Sequence, residues 1–241
     1  MDNFSKDFAP EGDPAMIELW LLHLADSALP IGAFAHSFGV ETLVMGGLLQ
    51  VSDLQHFLGA WLEEAGVAEG VFCRAAWRLA GLKTFPMREW LRLNDSLGAL
   101  KPGRESRNGS AVLGSNFLKA ALAVCHREPV QKAFEEARRA SAAVHHACSF
   151  GLVSGALHFD EDRSVRAYLH QSVAGLISAC QRLMPLGQTR AQQILWDLKP
   201  GIVESARRSE DFTTQDVCCF LPMLDWGAME HPELFTRLFI S

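Results

Sequence analysis

Side chains able to do chemistry crowd into one early stretch, Asp26-Ser27-Ala28-Leu29-Pro30-Ile31-Gly32-Ala33-Phe34-Ala35-His36-Ser37-Phe38-Gly39-Val40-Glu41. A serine, a histidine and two carboxylates are the parts of a hydrolytic triad, with Ser37 as nucleophile. His36 and Ser37 are chain neighbours, however, and on a helix adjacent side chains diverge by about 100°. The spacing favours a helix–turn–helix junction whose polar groups cap helix ends or face a partner. A second set is His145-His146-Ala147-Cys148. His145 and Cys148, three apart, would share a helix face, which suits a soft divalent metal and makes a nickel carrier the competing reading. Such a site needs more ligands, and none is near in sequence, so core-facing or capping histidines are the plainer reading.

Other motifs are missing. The chain has no GxxxxGK[ST], GxGxxG, HExxH, GxSxG or calcium-loop pattern, so P-loop nucleotide binding and zinc-protease chemistry are not expected. Two further features concern packing. Gly151-Leu152-Val153-Ser154-Gly155 carries small residues four apart, which lets another helix approach closely; inside a soluble chain this predicts tight internal packing ahead of a dimer face. The stretch Leu234-Phe235-Thr236-Arg237-Leu238-Phe239-Ile240-Ser241 is strongly apolar. Burying Leu238, Phe239 and Ile240 would contribute roughly 4–9 kcal/mol. Ordering five tail residues costs on the order of 5–10 kcal/mol. With the terms nearly cancelling, the tail orders only against a preformed groove, either in its own core or on a partner protein.

The elements that must position these residues are helical. Period-2 alternation is rare, whereas the 3.6 period recurs. Asp13-Pro14 is a helix start, and the helix it opens carries Ile17, Trp20, Leu21 and Leu24 on one face before Pro30 ends it near Leu29. A second helix is expected over 34–45, stopping at Gly46-Gly47. Ser52 and Gln55 have capping-box spacing before a helix through Phe57, Leu58, Trp61 and Leu62. A further stretch passes Val71, Cys73 and Trp77. Helices are predicted over 86–97, 105–125, 129–140, 142–157, 163–183 and 187–198, with Pro200-Gly201 bending or ending the last. A short one is predicted over 223–229. No composition shift marks a linker, and no 20–50-residue repeat is visible. The expected fold is all-α, a single multi-helix bundle of roughly ten helices over 13–241, preceded by a disordered tail over 1–12.

The bulk numbers agree with this. The 241 residues are 49% hydrophobic and 21% charged, with a formal net charge of −6. A mildly acidic balance without a basic run argues against nucleic acid as partner. The N-terminus lacks the pattern of a signal peptide. The apolar stretch from Met16 is interrupted by Glu18, His23 and Asp26 and is too short to span a bilayer. Six scattered cysteines without CxxC read as reduced thiols in a cytoplasmic protein.

Five segments, in order, resemble the urease accessory protein F family. They are Asp26–Gly32 running on to His36–Glu41; Arg104-Glu105-Ser106-Arg107-Asn108-Gly109, like the family's charged loop before a long helix; Phe150-Gly151 with Gly155; Arg182-Leu183-Met184-Pro185-Leu186-Gly187-Gln188; and the ending Arg237-Leu238-Phe239-Ile240-Ser241. Ala33 departs from the pattern, which commonly has a second glycine there. The resemblance implies an all-helical homodimer that is a scaffold and not an enzyme. It also implies a complex with the urease accessory D/H protein and the pathway's GTPase G, delivering nickel to apo-urease. No cofactor or resident metal is implied for this chain. On this reading Arg237, Leu238, Phe239, Ile240 and Ser241 dock into a groove on the D/H protein. Arg104, Glu105, Ser106 and Arg107 form a charged loop, either at an interface or as an internal network in which Arg107 caps helix C-termini. His36 and Glu41 lie near a dimer cleft that receives the GTPase.

Overall fold

The helical period resolves, in the computed structural model, into twelve α-helices among the described residues, 14–241, with no strand among them. They are α1 (Pro14–Leu24), α2 (Val40–Met45), α3 (Leu54–Trp61), α4 (Val67–Ala80), α5 (Met87–Ala99) and α6 (Arg104–Val124). α7 (Glu128–Ala140), α8 (His146–Ala156), α9 (Glu161–Leu183), α10 (Gln188–Asp197), α11 (Lys199–Arg208) and α12 (Pro222–Glu230) follow. The expected helix-start residue Asp13 and the expected N-terminal tail lie outside the described residues. The described helices share one hydrophobic core.

The centre of that core is α8. Every residue from His146 to Ala156 is buried, as expected of a helix that is apolar and small on all sides. α4 and α6 flank it, and the long α9 crosses it. The small-residue spacing is used here, inside the chain. A Cβ on Gly151 would overlap the Cys73 carbonyl of α4, and one on Gly155 would overlap that of Trp77, so the α4 and α8 backbones touch. Arg74, buried in α4, closes the other side. Its Nε donates to Ser209 Oγ at 2.9 Å, Nη1 to Glu161 Oε1 at 3.1 Å and Nη2 to the Ala206 carbonyl at 2.8 Å, tying α4 to α9 and α11.

Three local expectations are corrected, and a fourth holds with an addition. The helix expected over 34–45 is broken: a 3-10 turn, Ala33–Ala35, is followed by extended His36, and Phe38 (φ 54°) and Gly39 (φ 93°) step into left-handed space before α2. Close approach of α12 requires this, because a Cβ on Gly39 would lie 2.7 Å from the Leu224 carbonyl oxygen and the Ala228 nitrogen. Ala33, where a second glycine was the pattern, has no positive φ and needs none. The Ser52–Gln55 capping box does not form; the Ser52 hydroxyl donates to Asp53 Oδ1 at 3.2 Å, and α3 starts after Asp53. α3 and α4 are one run joined by a π turn over Leu62–Gly66. The helix expected over 187–198 does end just before Pro200-Gly201, but a further helix, α11, starts at once with Pro200 in its first turn, where its missing N–H is not needed.

Candidate functional site

Before the left-handed step at Phe38 and Gly39, His36 is extended (φ −123°, ψ 131°), and Ile240 and Ser241 lie alongside the 35–38 backbone. The Ala35 carbonyl accepts the Ile240 amide at 2.9 Å, and the Ser241 carbonyl oxygen accepts the Phe38 amide at 3.1 Å and the Ser37 hydroxyl at 2.9 Å. His36 Nδ1 lies 2.7 Å from Ser241 Oγ, in a buried spot that lowers the histidine's pKa through desolvation. The chain bends at Leu238 and Phe239, which aims their two successive amides at one carboxylate. Phe239 and Ser241 are buried, at 4% and 2% exposure, while Leu238 and Ile240 are exposed at 60% and 67%. Burial of all three apolar tail residues, as the sequence estimate assumed, is thus corrected. One is buried, and polar contacts supply the rest of the anchorage.

The chief polar anchor is Glu41, 2% exposed in the first turn of α2. Its Oε1 accepts the Leu238 amide at 2.6 Å, and its Oε2 accepts the Phe239 amide at 3.1 Å. The same Oε2 lies 2.8 Å from Nε2 of His231, whose Nδ1 lies 2.6 Å from Glu105 Oε2. Glu105 Oε1 in turn accepts from Arg237 at 3.1 Å. Above Phe239 the Arg182 guanidinium lies 4.1 Å from the ring centroid and donates to the Phe34 carbonyl. Phe34 itself is 73% exposed.

Of the residues expected to act, the fold gathers His36, Glu41, Glu105, Arg237, Phe239 and Ser241 into this network. It does not gather Arg104, Ser106 or Arg107. The expected charged loop is corrected to the first turn of α6. There Arg104 is exposed, and Arg107 closes the turn after α5 by donating to the Lys101 carbonyl at 2.6 Å. Ser106 lines a cleft of about 140 Å³ with Glu69, Lys101, His146, Tyr168 and Gln171. Sequence reasoning missed His231 and did not single out Arg182 as a contact. Neither carries a local signal, since His231 stands 190 residues from Glu41 in the chain.

The cleft is chemically quiet. Burial pushes the Glu69 carboxyl upward, but an ion pair with Lys101 and a 2.6 Å bond from the Tyr168 hydroxyl hold it lower than usual. Desolvation takes His146 down to about 4 and Cys219 up to about 12, leaving a neutral imidazole and a protonated thiol. His146 Nε2, Gln171 Oε1 and Ser106 Oγ have no protein partner; the cleft is wide enough for bridging waters to satisfy them.

The two competing chemistries lose their geometry. The Ser37 hydroxyl is given to Ser241, and His36 turns to Ser241 rather than to Ser37, so no base stands at the expected nucleophile. His145 is corrected from a helix face to the residue before α8, extended at φ −81° and ψ 150°. It thus shares no face with Cys148. Its Nδ1 lies 3.1 Å from Ser110 Oγ and its amide donates to Asn94. Among the described residues no three His, Cys, Asp or Glu side chains stand together as a metal site would need, and no helix is long and apolar enough to cross a membrane.

The sequence model of the UreF family matches residues 49–199. The chain belongs to the UreF family. It is similar to the urease accessory protein UreF of Lachnoclostridium phytofermentans, 30% identical over 223 residues, covering 92% of this chain and 97% of that one. The UreF proteins of Geobacillus kaustophilus and Corynebacterium glutamicum are also 30% identical, over 227 and 221 residues, each covering 92% of this chain and 97% and 96% of their own. In this UreF-family chain the 49–199 span contains Glu105 and Arg182, whereas Glu41, His231 and the tail lie outside it.

Proposed function

We propose that this chain is a urease-maturation scaffold that catalyses no reaction of its own. As a homodimer in the cytoplasm it binds the urease accessory D/H protein and the GTPase G, and the assembly helps deliver nickel to apo-urease. The printed names of its relatives, urease accessory protein, support the pathway. The observation that carries the binding mode is the tail: a backbone fixed by the buried Glu41 carboxylate, displaying Leu238 and Ile240 to solvent. Apolar side chains on a rigid backbone are what a partner groove receives at small entropic cost. The outer face is the contact with the D/H protein. His36 and Glu41, 7% and 2% exposed, serve it from below.

Removing 237–241 altogether would strand the Glu41 carboxylate and the Ser37 hydroxyl, so it is a poor test. The double variant Leu238→Asp/Ile240→Asp alters only outward side chains. It is expected to weaken co-purification with the cognate D/H protein by about 100-fold, as loss of central interface contacts does, with an unchanged melting temperature. Size-exclusion chromatography with light scattering on the co-expressed proteins reads both stoichiometry and loss. A wild-type-like complex from the double variant would refute the tail as the docking face.

A further inference from the structure

We infer that the cleft bordered by Ser106, His146 and Gln171 is a binding site for a small uncharged organic molecule, one that carries an O–H or N–H donor on an apolar body. This site needs neither the C-terminal tail nor the proposed docking.

At about 140 Å³ the cleft holds roughly ten times the space that one water needs. Leu113, Leu176 and Leu221 give it apolar walls. The π turn that joins α3 to α4 forms part of the wall, contributing Ala65 between Trp61 and Glu69. Such turns are rare inside helices and frequently mark functional sites. The polar part has unused capacity. Glu69 is taken up by Lys101 and by the Tyr168 hydroxyl at 2.6 Å. His146 and Gln171, 8% and 7% exposed, nevertheless leave Nε2 and Oε1 without a protein partner among the described residues, and Ser106 leaves its hydroxyl so. Three free polar groups, on α8, α9 and α6, thus border one space. Keeping such groups unpaired is costly, and the polar end of a ligand relieves the cost by replacing the waters that otherwise sit there. The charge of the ligand follows from the groups left over. Lys101 and Glu69 neutralise each other, and burial pushes the Asp225 carboxyl toward its neutral form. The Gln171 carbonyl, the neutral His146 ring and the Ser106 hydroxyl are dipoles. They match a hydroxyl or an amide, but do not offset the loss of water around a full charge.

The sequence holds one tyrosine, Tyr168, and it lines this cleft. Full-length protein made with fluorotyrosine therefore gives a single reporter for fluorine NMR. Benzyl alcohol, a hydroxyl on an apolar ring, is the probe. It should shift the Tyr168 resonance saturably, at millimolar concentration, whereas benzoate and benzylammonium should not. Toluene, which lacks the hydroxyl, should bind about 3- to 10-fold more weakly, and Gln171→Leu should weaken benzyl alcohol by a similar factor. Gly175→Leu blocks the site: Gly175 lines the cleft, and a Cβ there meets nothing within 4 Å. It should abolish the shift without lowering the melting temperature. No saturable shift with benzyl alcohol, or one that survives Gly175→Leu, overturns the site. Equal affinity for toluene, or tighter binding of either ion, overturns the class of ligand. If Gln171→Leu does not fold, Ser106→Ala removes another of the free groups, and undiminished affinity there counts against polar recognition equally.

Discussion

Gly151→Ala should lower the melting temperature of the chain by about 6–12 °C. The Cβ would be placed onto the Cys73 carbonyl, with the Cys73 Cα 3.0 Å away, and neither can swing aside as a flexible side chain would. Overpacking of this kind costs about 3 kcal/mol, and for a chain of this size each kcal/mol moves the midpoint by about 2–4 °C. Both helices are held from behind, α4 by the Arg74 contacts to α9 and α11 and α8 by α6, so relaxation by sliding is blocked. Gly59→Ala in α3, with nothing within 4 Å of the new carbon, supplies the control. It should stabilise by about 0.5–1 kcal/mol through helix propensity. Scanning calorimetry of the two variants decides. Equal midpoints for Gly151→Ala and the parent would mean that α4 and α8 are not in backbone contact.

Acid should unfold the chain well before its carboxylates are all protonated. His145 and His146, side by side and 1% and 8% exposed, are both taken from an ordinary 6.5 to about 4, chiefly by desolvation. Lys101 adds to the fall at each, and Glu69 opposes it. A depressed pKa means that the unfolded chain takes up protons near pH 6.5 which the native chain refuses until about pH 4. The stability is therefore complete above about pH 6.5 and is lost as the pH falls toward 4. The linkage amounts to on the order of 3 kcal/mol for each ring, against a typical total of about 5–15 kcal/mol. Urea midpoints at pH 7 and pH 5 should differ clearly, and His146→Phe, set among Phe117, Phe150 and Tyr168, should remove roughly half of the difference. The same midpoint at both pH values would show that these rings are hydrated.

Features that depend on local spacing were legible along the chain. The 3.6 period marked nearly all the helices, because a buried stripe leaves its imprint on one stretch of chain. It did so for α9, expected over 163–183 and found as Glu161–Leu183. The five ordered segments pointed to the family that the match over 49–199 then showed. Where the period failed, a long-range contact had overruled it. The apolar run over 34–45 reads as helix until α12 presses on Gly39, and α11 was missed because its proline sits where proline is harmless. The tail is the sharpest case. Its apolar residues announced that something must cover them, but whether a side chain faces in or out depends on backbone hydrogen bonds with Ala35 and Phe38, some 200 residues away. Only the tertiary structure could bring Glu41, Glu105 and His231 from three distant helix ends to one point. Hydrogen bonds between charged groups depend on direction over about 3 Å, and nothing in linear spacing encodes that.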